Sequence, residues 1–281
     1  MERTKVTTVD ILEKKRTKTK ITALSVYDFQ FARIADRAGT DILLVGDSLG
    51  TVLYGHENTL QVTMEDMVRH TKAVKKGAEK SLIIADMPFM SYQASIDSAI
   101  ENAGRLIQEG GAEGVKVEGG EAVMDTIEAI AEMGIPVVAH VGLTPQFIHS
   151  LGGYRVQGRK SFEAKKIIED AIAVADAGAF SIVLEGIPLE VAREITNRIA
   201  IPTIGIGAGP FCDGQVMVLH DLIGLSGNFK PKFVKRYADL EESVLSAARE
   251  FVREVNERKY PDEETSYSVD KGHLRPVRKK T

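Results

Sequence analysis

The chain has 281 residues, of which 43% are hydrophobic, enough to bury the core of one α/β barrel or of two smaller domains. Its formal net charge of −4 gives no long-range attraction for nucleic acid or an anionic membrane, and no apolar run approaches the roughly 18 residues that span a bilayer. The single cysteine, Cys212, excludes an internal disulfide and a cysteine-rich metal site. We therefore expect a cytoplasmic protein that binds neither nucleic acid nor a membrane.

Short apolar runs alternate with amphipathic segments in the first half of the chain. Helix starts are indicated by Asp28 and by Thr63 with Asp66 three residues later, and Gly39 marks a helix end. The sequence predicts strands at 21–28, 42–45, 82–85 and 114–118, with helices at 9–15, 31–38, 64–78 and 95–106. A segment without periodicity, 51–62, is predicted to be a long loop.

The second half repeats this alternation. Gly134 stands at a helix end, and Pro188 stands where a first helical turn favours proline. The predicted strands are 137–140, 180–185, 203–206 and 216–219; the predicted helices are 121–133, 162–177, the segment after Pro188, and 233–255. Segment 143–160 is glycine-rich and aperiodic, and loops of that length usually carry function.

Eight apolar runs separated by helices favour parallel βα units. The count and the length fit a single-domain (β/α)8 TIM barrel over 1–260, with a short N-terminal helix, a C-terminal helix and a polar tail over 261–281. The rival fold is an open doubly wound sheet. That fold favours a glycine-rich phosphate turn after the first strand, where this chain has VYDFQF.

Four apolar runs end on or just before an acid: Asp47, Asp86, Glu118 and Glu185. In a barrel, the carboxyl ends of the strands meet at one mouth, so these side chains are predicted to face a common cavity. Several ionised carboxylates in one pocket repel each other, and a hard divalent cation such as Mg²⁺ would relieve that repulsion. Glu185, on a strand away from the others, is the candidate general base.

Other polar residues fall near these acids. Lys116 alternates with Glu118 along one strand, so both side chains leave the same face, and Ser48 follows Asp47 directly. Each acid taken alone could equally be the N-cap of the next helix. His140 and His220 end predicted strands, where each either orients a substrate or only supports the site.

Long motifs resemble the ketopantoate hydroxymethyltransferase family over about residues 8–260. They are VGDSLG at 45–50, GHENTLQVT at 55–63, ADMPFMSY at 85–92, VKVEGG at 115–120, HVGLTPQ at 140–146, GGYRVQGR at 152–159, GIGAG at 205–209 and DGQ at 213–215. The resemblance implies a (β/α)8 barrel allied to the phosphoenolpyruvate mutase and isocitrate lyase group. It also implies a homo-oligomer, typically a decamer.

Transferred position by position, the resemblance implies a Mg²⁺ site formed by Asp47, Asp86 and Glu118, the last directly or through water. The substrate 3-methyl-2-oxobutanoate would contact Asp47, Ser48, Asp86 and Lys116, and Glu185 would be the proton acceptor. The implied reaction transfers a hydroxymethyl group from 5,10-methylenetetrahydrofolate, a co-substrate, to give ketopantoate in pantothenate biosynthesis. Mg²⁺ and Lys116 would stabilise the enolate left after Glu185 removes the C3 proton.

Two other functions fit parts of the pattern. A Mg²⁺-dependent 2-oxo acid lyase or decarboxylase would keep the barrel and the metal, but related lyases generally use a cysteine or an arginine in the mouth. Cys212 is poorly placed for that role. A degenerate barrel acting as a scaffold conflicts with an intact set of acids.

Overall fold

Eight parallel strands close into one barrel, in which each strand pairs with its neighbours in chain order and β8 pairs with β1. The structure is a computed structural model that describes residues 3–227 and 231–268. The strands are β1 Ile21–Ser25, β2 Ile42–Val45, β3 Leu82–Asp86, β4 Gly114–Glu118, β5 Val137–Gly142, β6 Ser181–Glu185, β7 Thr203–Ile206 and β8 Gly214–Val218. The predicted single-domain TIM barrel is confirmed, and the open sheet is wrong.

Helices lie between the strands and around the barrel. They are α1 Thr8–Arg16, α2 Phe29–Arg37, α3 Leu49–Val52, α4 Met64–Gly77, α5 Ile96–Arg105, α6 Met124–Glu132, α7 Ile148–Leu151, α8 Ser161–Asp176, α9 Leu189–Arg198, α10 Leu219–Leu222 and α11 Leu240–Asn256. The predicted capping box of α4 is present: Thr63 accepts from the Asp66 N–H, and Asp66 accepts from the Thr63 N–H. The Asp28 carboxylate caps α2 through the Phe31 N–H.

Alternating residues on each strand divide the core into two layers. The layer inside the barrel includes Ile21, Ile42, Ile84, Val138, Val183, Ile204 and Val216. The larger layer lies between the sheet and the helices. These inner apolar residues fill the barrel below its mouth. Side chains two positions apart on a strand point the same way, so the next inward residues on the same strands point into the mouth.

Several element boundaries differ from the prediction. Strand β1 ends at Ser25 rather than at 28, because the chain turns there to present Asp28 as the cap of α2. Strand β8 begins at Gly214, two residues earlier than predicted, and His220 lies in α10. The two predicted long loops also contain short helices, α3 and α7.

The last helix begins seven residues later than predicted. Segment 233–239 is not helical, because its backbone bonds to the end of α10: the Tyr237 N–H donates to the Leu222 carbonyl, and the Leu240 N–H donates to Ile223. None of the residues of α11 is buried, and Val244, Phe251 and Val255 are among its exposed apolar side chains. The basic end of the polar tail, from residue 269 onward, lies outside the described residues.

A helix must be both long and apolar to cross a lipid bilayer. Within 3–227 and 231–268, no helix is both long enough and apolar enough to cross one.

Candidate active site

A cavity opens at the carboxyl ends of the strands. Its empty volume is about 1400 Å³, part of it open to solvent. All six predicted site residues line it: Asp47, Ser48, Asp86, Lys116, Glu118 and Glu185. The structure therefore brings together the acids that the strand ends indicated, and it places Lys116 on the same inward face as Glu118.

Asp47 and Asp86 form the deepest carboxylate pair. The backbone N–H of Asp47 donates to Asp86 Oδ2 at 3.1 Å, and both residues are 3% exposed. Gly46 permits this approach, because a Cβ there would stand 2.7 Å from Ser48 Oγ and 2.8 Å from Ser25 Oγ. Asp86 Oδ1 is buried and makes no hydrogen bond, and its partner is the Lys116 ammonium at 3.3 Å.

Lys116 lies at the centre of the charged groups. Its Nζ is 3.3 Å from Asp86 Oδ1, 3.5 Å from Glu118 Oε1 and 3.0 Å from His140 Nδ1. Burial disfavours the ammonium, but the charges of Asp86 and Glu118 outweigh it and raise the pKa of Lys116. Lys116 is therefore a permanent cation at neutral pH.

His140 connects this group to Glu185. Its Nδ1 lies 3.4 Å from Glu118 Oε1, and its Nε2 lies 3.3 Å from Glu185 Oε2, without the geometry of a hydrogen bond. Burial and Lys116 oppose protonation of His140, but Glu118 and Glu185 outweigh them and raise its pKa to about 9. The sequence left two roles open for His140, orienting a substrate or supporting the site. Its contacts with Glu118 and Glu185 favour the second.

The site carries more negative than positive charge. With every acid ionised, four carboxylates face two cations, Lys116 and protonated His140, which leaves an excess of two negative charges. Burial, reinforced by the charges of Glu118 and Asp86, raises the pKa of Asp47 well above its ordinary value. Lys116 and His140 overcome burial at Glu118 and lower its pKa. The unrelieved repulsion therefore falls mainly on Asp47.

These acids do not yet surround a common point. Within the described part of the chain, no group of three or more His, Cys, Asp or Glu side chains is arranged to hold a metal ion. Glu118 is the reason: its Oε1 faces Lys116 and His140, and its Oε2 accepts from the Gln146 N–H at 3.0 Å. Of the three buried acids, Asp47 keeps one oxygen, Oδ1, without a hydrogen bond among the described residues, and Asp86 Oδ1 is paired only with Lys116.

Glu185 occupies a different part of the mouth. Its side chain is 18% exposed, whereas those of Glu118 and Lys116 are nearly inaccessible. Gly142, with φ of +97°, lets β5 approach it, since a Cβ there would lie 2.4 Å from the Glu185 carbonyl oxygen. A carboxylate at the rim that faces an open cavity can reach a bound molecule and exchange protons with it.

Ser48 is held by a residue that the sequence did not indicate. Its Oγ lies 2.8 Å from the hydroxyl of Tyr27, which is fully buried. Burial dominates and raises the pKa of Tyr27, so the phenol stays protonated. Ser48 is thereby fixed at the start of α3, beside Asp47.

Gln146 is a second residue that sequence reasoning did not single out. It lies in the loop after β5, is 3% exposed, and hydrogen-bonds both to Asp47 and to Glu118. The only available signal was its position at the end of the HVGLTPQ motif. A glutamine in a polar loop does not by itself indicate contact with carboxylates on two other strands.

Above the acids, the cavity wall is largely apolar. Leu143, Pro145, Tyr154, Val156 and Phe233 line it, together with Arg155. The cavity thus has a charged floor and a wider apolar upper part, which suits a small anion below and a larger planar molecule above.

Two other candidates lie elsewhere. His220 does not line the cavity; it packs against the rings of Tyr27 and Phe31, with centroid distances of 5.5 and 5.2 Å. Burial lowers its pKa, so it is a neutral packing residue. Cys212 is buried behind β7 and β8 and does not reach the mouth.

Comparison with known proteins gives one consistent family. The family model described as ketopantoate hydroxymethyltransferase matches residues 5–263. A Geobacter sulfurreducens protein named 3-methyl-2-oxobutanoate hydroxymethyltransferase is 55% identical over 262 residues, which cover 93% of this chain and 98% of that protein. A Thermoanaerobacter sp. protein of the same name is 52% identical over 267 residues, covering 95% and 97%.

Solved structures give the same fold at low sequence identity. The crystal structure of 2,3-dimethylmalate lyase, a PEP mutase/isocitrate lyase superfamily member, has a TM-score of 0.60 at 17% identity and covers 95% of this chain and 91% of that one. Phosphonopyruvate hydrolase in complex with oxalate and Mg²⁺ has a TM-score of 0.59 at 13% identity, covering 94% and 92%. At such identities the likeness supports the barrel alone.

Proposed function

Because the chain belongs to the ketopantoate hydroxymethyltransferase family, we propose that it transfers a hydroxymethyl group to 3-methyl-2-oxobutanoate. The donor is 5,10-methylenetetrahydrofolate, and the product is 2-dehydropantoate, in pantothenate biosynthesis. One observation carries the proposal: a buried group of acids with one lysine forms the floor of a cavity that has a more exposed carboxylate, Glu185, on its wall.

The acids suit a divalent cation. Asp47 and Asp86 would hold Mg²⁺, with Glu118 completing the site through water. The excess of two negative charges among these buried acids supports this assignment, and oxygen donors are what Mg²⁺ prefers. When bound, the cation would withdraw electron density from the substrate carbonyl and so acidify the neighbouring C–H bond.

The chain's own side chains bind and orient the 2-oxo acid. Its carboxylate and keto oxygens would lie on the floor, near Asp47 and Asp86, with Ser48 as a hydrogen-bond partner. Lys116 would place its positive charge beside the oxygen that becomes negative during the reaction. The apolar isopropyl group would then point up toward Glu185 and the wider part of the cavity.

Glu185 would act as the catalytic base. It accepts the proton from C3 of the substrate, and the electron pair of that C–H bond moves toward the keto oxygen. C3 then attacks the methylene carbon of the folate, and one water molecule releases the hydroxymethyl product and tetrahydrofolate. His140 Nε2 lies 3.3 Å from Glu185 Oε2, on the floor side of this carboxylate.

The donor would occupy the upper part of the cavity. Its pterin ring is planar and apolar on both faces, which matches a wall formed by Tyr154, Val156 and Phe233. The cavity is partly open to solvent, so a second reactant can approach the bound 2-oxo acid from outside.

A turnover assay tests the reaction. Purified protein, 3-methyl-2-oxobutanoate, methylenetetrahydrofolate and Mg²⁺ should yield 2-dehydropantoate, detected by mass spectrometry, and chelation of the metal should stop the reaction. Glu185→Gln should slow C3 hydrogen–deuterium exchange by about 10²–10⁴-fold while the 2-oxo acid still binds. Glu190→Gln, on the exposed start of α9, is the matched control. Unchanged exchange in Glu185→Gln would refute the assignment of the base.

The alternative is a Mg²⁺-dependent 2-oxo acid lyase or decarboxylase. One observation favours it: Arg155 lines the mouth, where such enzymes generally use an arginine or a cysteine. Cys212 does not line that cavity. Loss of 3-methyl-2-oxobutanoate without added folate, with formation of a shorter product, would support the alternative.

We also propose a cytoplasmic homo-oligomer, a decamer as is typical of the family. The exposed apolar side chains of α11, including Val244 and Phe251, support burial against another copy. Light scattering after gel filtration should give a mass of about ten subunits, and a monomeric mass at micromolar protein would contradict the proposal.

A further inference from the structure

Gln146 forms hydrogen bonds through both side-chain polar atoms and its backbone N–H. Its Nε2 donates to Asp47 Oδ2 and to the Met87 carbonyl, each at 2.9 Å. Its Oε1 accepts from the Tyr92 hydroxyl at 2.8 Å and from Gln93 Nε2 at 3.1 Å. Its backbone N–H donates to Glu118 Oε2 at 3.0 Å. One residue therefore joins β2, β4 and the loop after β3.

The partners leave one orientation for the side-chain amide. Asp47 and the Met87 carbonyl can only accept, so the NH₂ group must face them, while the side-chain amide of Gln93 donates to the opposite side. The Tyr92 hydroxyl, also buried, accepts from the Glu118 N–H at 3.2 Å, which leaves its single proton for Gln146 Oε1. The donor aimed at Asp47 is therefore fixed by its surroundings.

We propose that Gln146 is a positioning residue for the cation site. Its side chain occupies Asp47 Oδ2 and leaves Oδ1, which makes no hydrogen bond among the described residues, for a divalent ion. Its backbone N–H meanwhile holds Glu118 Oε2. This inference rests on the proposed metal-dependent function.

The physical argument concerns the charge that Asp47 must carry. Asp47 is buried beside Asp86, and the Gln146 amide donates to its Oδ2 at 2.9 Å, a hydrogen bond that stabilises a carboxylate. A fixed donor also prevents the carboxylate from rotating when the cation arrives, so less order has to be created on binding. Loss of Gln146 should therefore weaken cation binding more than it weakens the fold.

Gln146→Met tests this, because methionine keeps the length of the side chain and removes both polar atoms. Titration calorimetry with MgCl₂, in the presence of saturating 3-methyl-2-oxobutanoate, should show a Kd raised about 10–100-fold. At saturating Mg²⁺, kcat should stay within about threefold of the wild type, since removing this donor mainly lowers cation affinity. Gln93→Met is the matched control: it removes one bond to Gln146 Oε1 but touches neither carboxylate.

The outcomes separate cleanly. A Mg²⁺ Kd within about threefold of the wild type in Gln146→Met would overturn the inference, because loss of a residue that holds a metal ligand typically weakens metal binding by more than that. If that variant does not fold, Gln146→Asn serves instead: it keeps the backbone N–H donor, but its side-chain amide is too short to reach Asp47. A Mg²⁺ Kd within about threefold of the wild type in Gln146→Asn would likewise overturn the inference. A wild type that binds no Mg²⁺ would overturn the proposed metal site and this inference together.

Discussion

Replacing Lys116 by methionine removes the central cation of the site. At an effective dielectric of about 20, each of its contacts with Asp86 and Glu118 corresponds to about 5 kcal/mol of attraction. Lys116 Nζ also lies 3.0 Å from Nδ1 of protonated His140, and the repulsion between these two cations cancels roughly one of the two attractions. The remainder agrees with the ~3–5 kcal/mol that breaking a buried ion pair from one side typically costs.

For a chain of 281 residues, that loss should lower the melting temperature by about 5–8 °C in EDTA. Without Lys116 the excess negative charge rises from two to three, so Mg²⁺ should stabilise Lys116→Met more than it stabilises the wild type. Differential scanning calorimetry with and without MgCl₂ measures both effects. Lys166→Met, at an exposed ion pair with Glu121, should change little. A melting temperature within 2 °C of the wild type in EDTA, or an equal response to Mg²⁺, would refute this account of the charges.

Three further changes probe the stability of the barrel and the support of the site. Asp36→Asn should lower the free energy of unfolding by about 2–3 kcal/mol at pH 7, because the Asp36 carboxylate accepts from the N–H and hydroxyl groups of Ser81. Burial of Asp36 raises its pKa, but these hydrogen bonds outweigh burial and lower the pKa. The contribution of Asp36 to stability is therefore complete above the ordinary value of 3.8 and is lost as pH falls through the folded-state pKa. A stability difference between wild type and Asp36→Asn that stays unchanged from pH 7 to pH 3 would contradict this. Tyr27→Phe should raise the KM for the 2-oxo acid about 2–10-fold by freeing Ser48, and an unchanged KM would argue against that role. Gly46→Ala should disrupt binding of the 2-oxo acid in calorimetry, since its Cβ would collide with Ser48 Oγ; wild-type affinity would show that the loop yields.

The strands and their polar ends were predictable because one physical pattern determines both. A strand covered on both faces must be apolar, so each run stops where the chain reaches the open mouth, and the first polar residue there is exposed to the cavity. The period of two placed Lys116 beside Glu118 without any knowledge of the helices. Asp47, Asp86 and Glu185 followed from the same argument, because chain order fixes their positions around a closed barrel.

The errors arose where tertiary contacts decide the local structure. Segment 233–239 has a helical pattern, yet its backbone bonds to the end of α10, and Val234 is buried there instead of continuing a helical stripe. Strand β1 stops at Ser25 because the chain must turn to place the cap of α2. Neither contact has a counterpart in local periodicity, so the boundaries could not be placed from the sequence.

The same reasoning explains why the second layer of the site was missed, and why an amide occupies it. Tyr27 and Gln146 act through contacts 21 and 99 residues away in the chain, which no local spacing shows. At Gln146, an acid would add a fifth negative charge beside Asp47, and a lysine would remove part of the charge excess that favours a divalent cation. A neutral amide donates to Asp47 and leaves the net charge of the site unchanged. The chemistry of the floor therefore restricts this position even though Gln146 does not line the cavity.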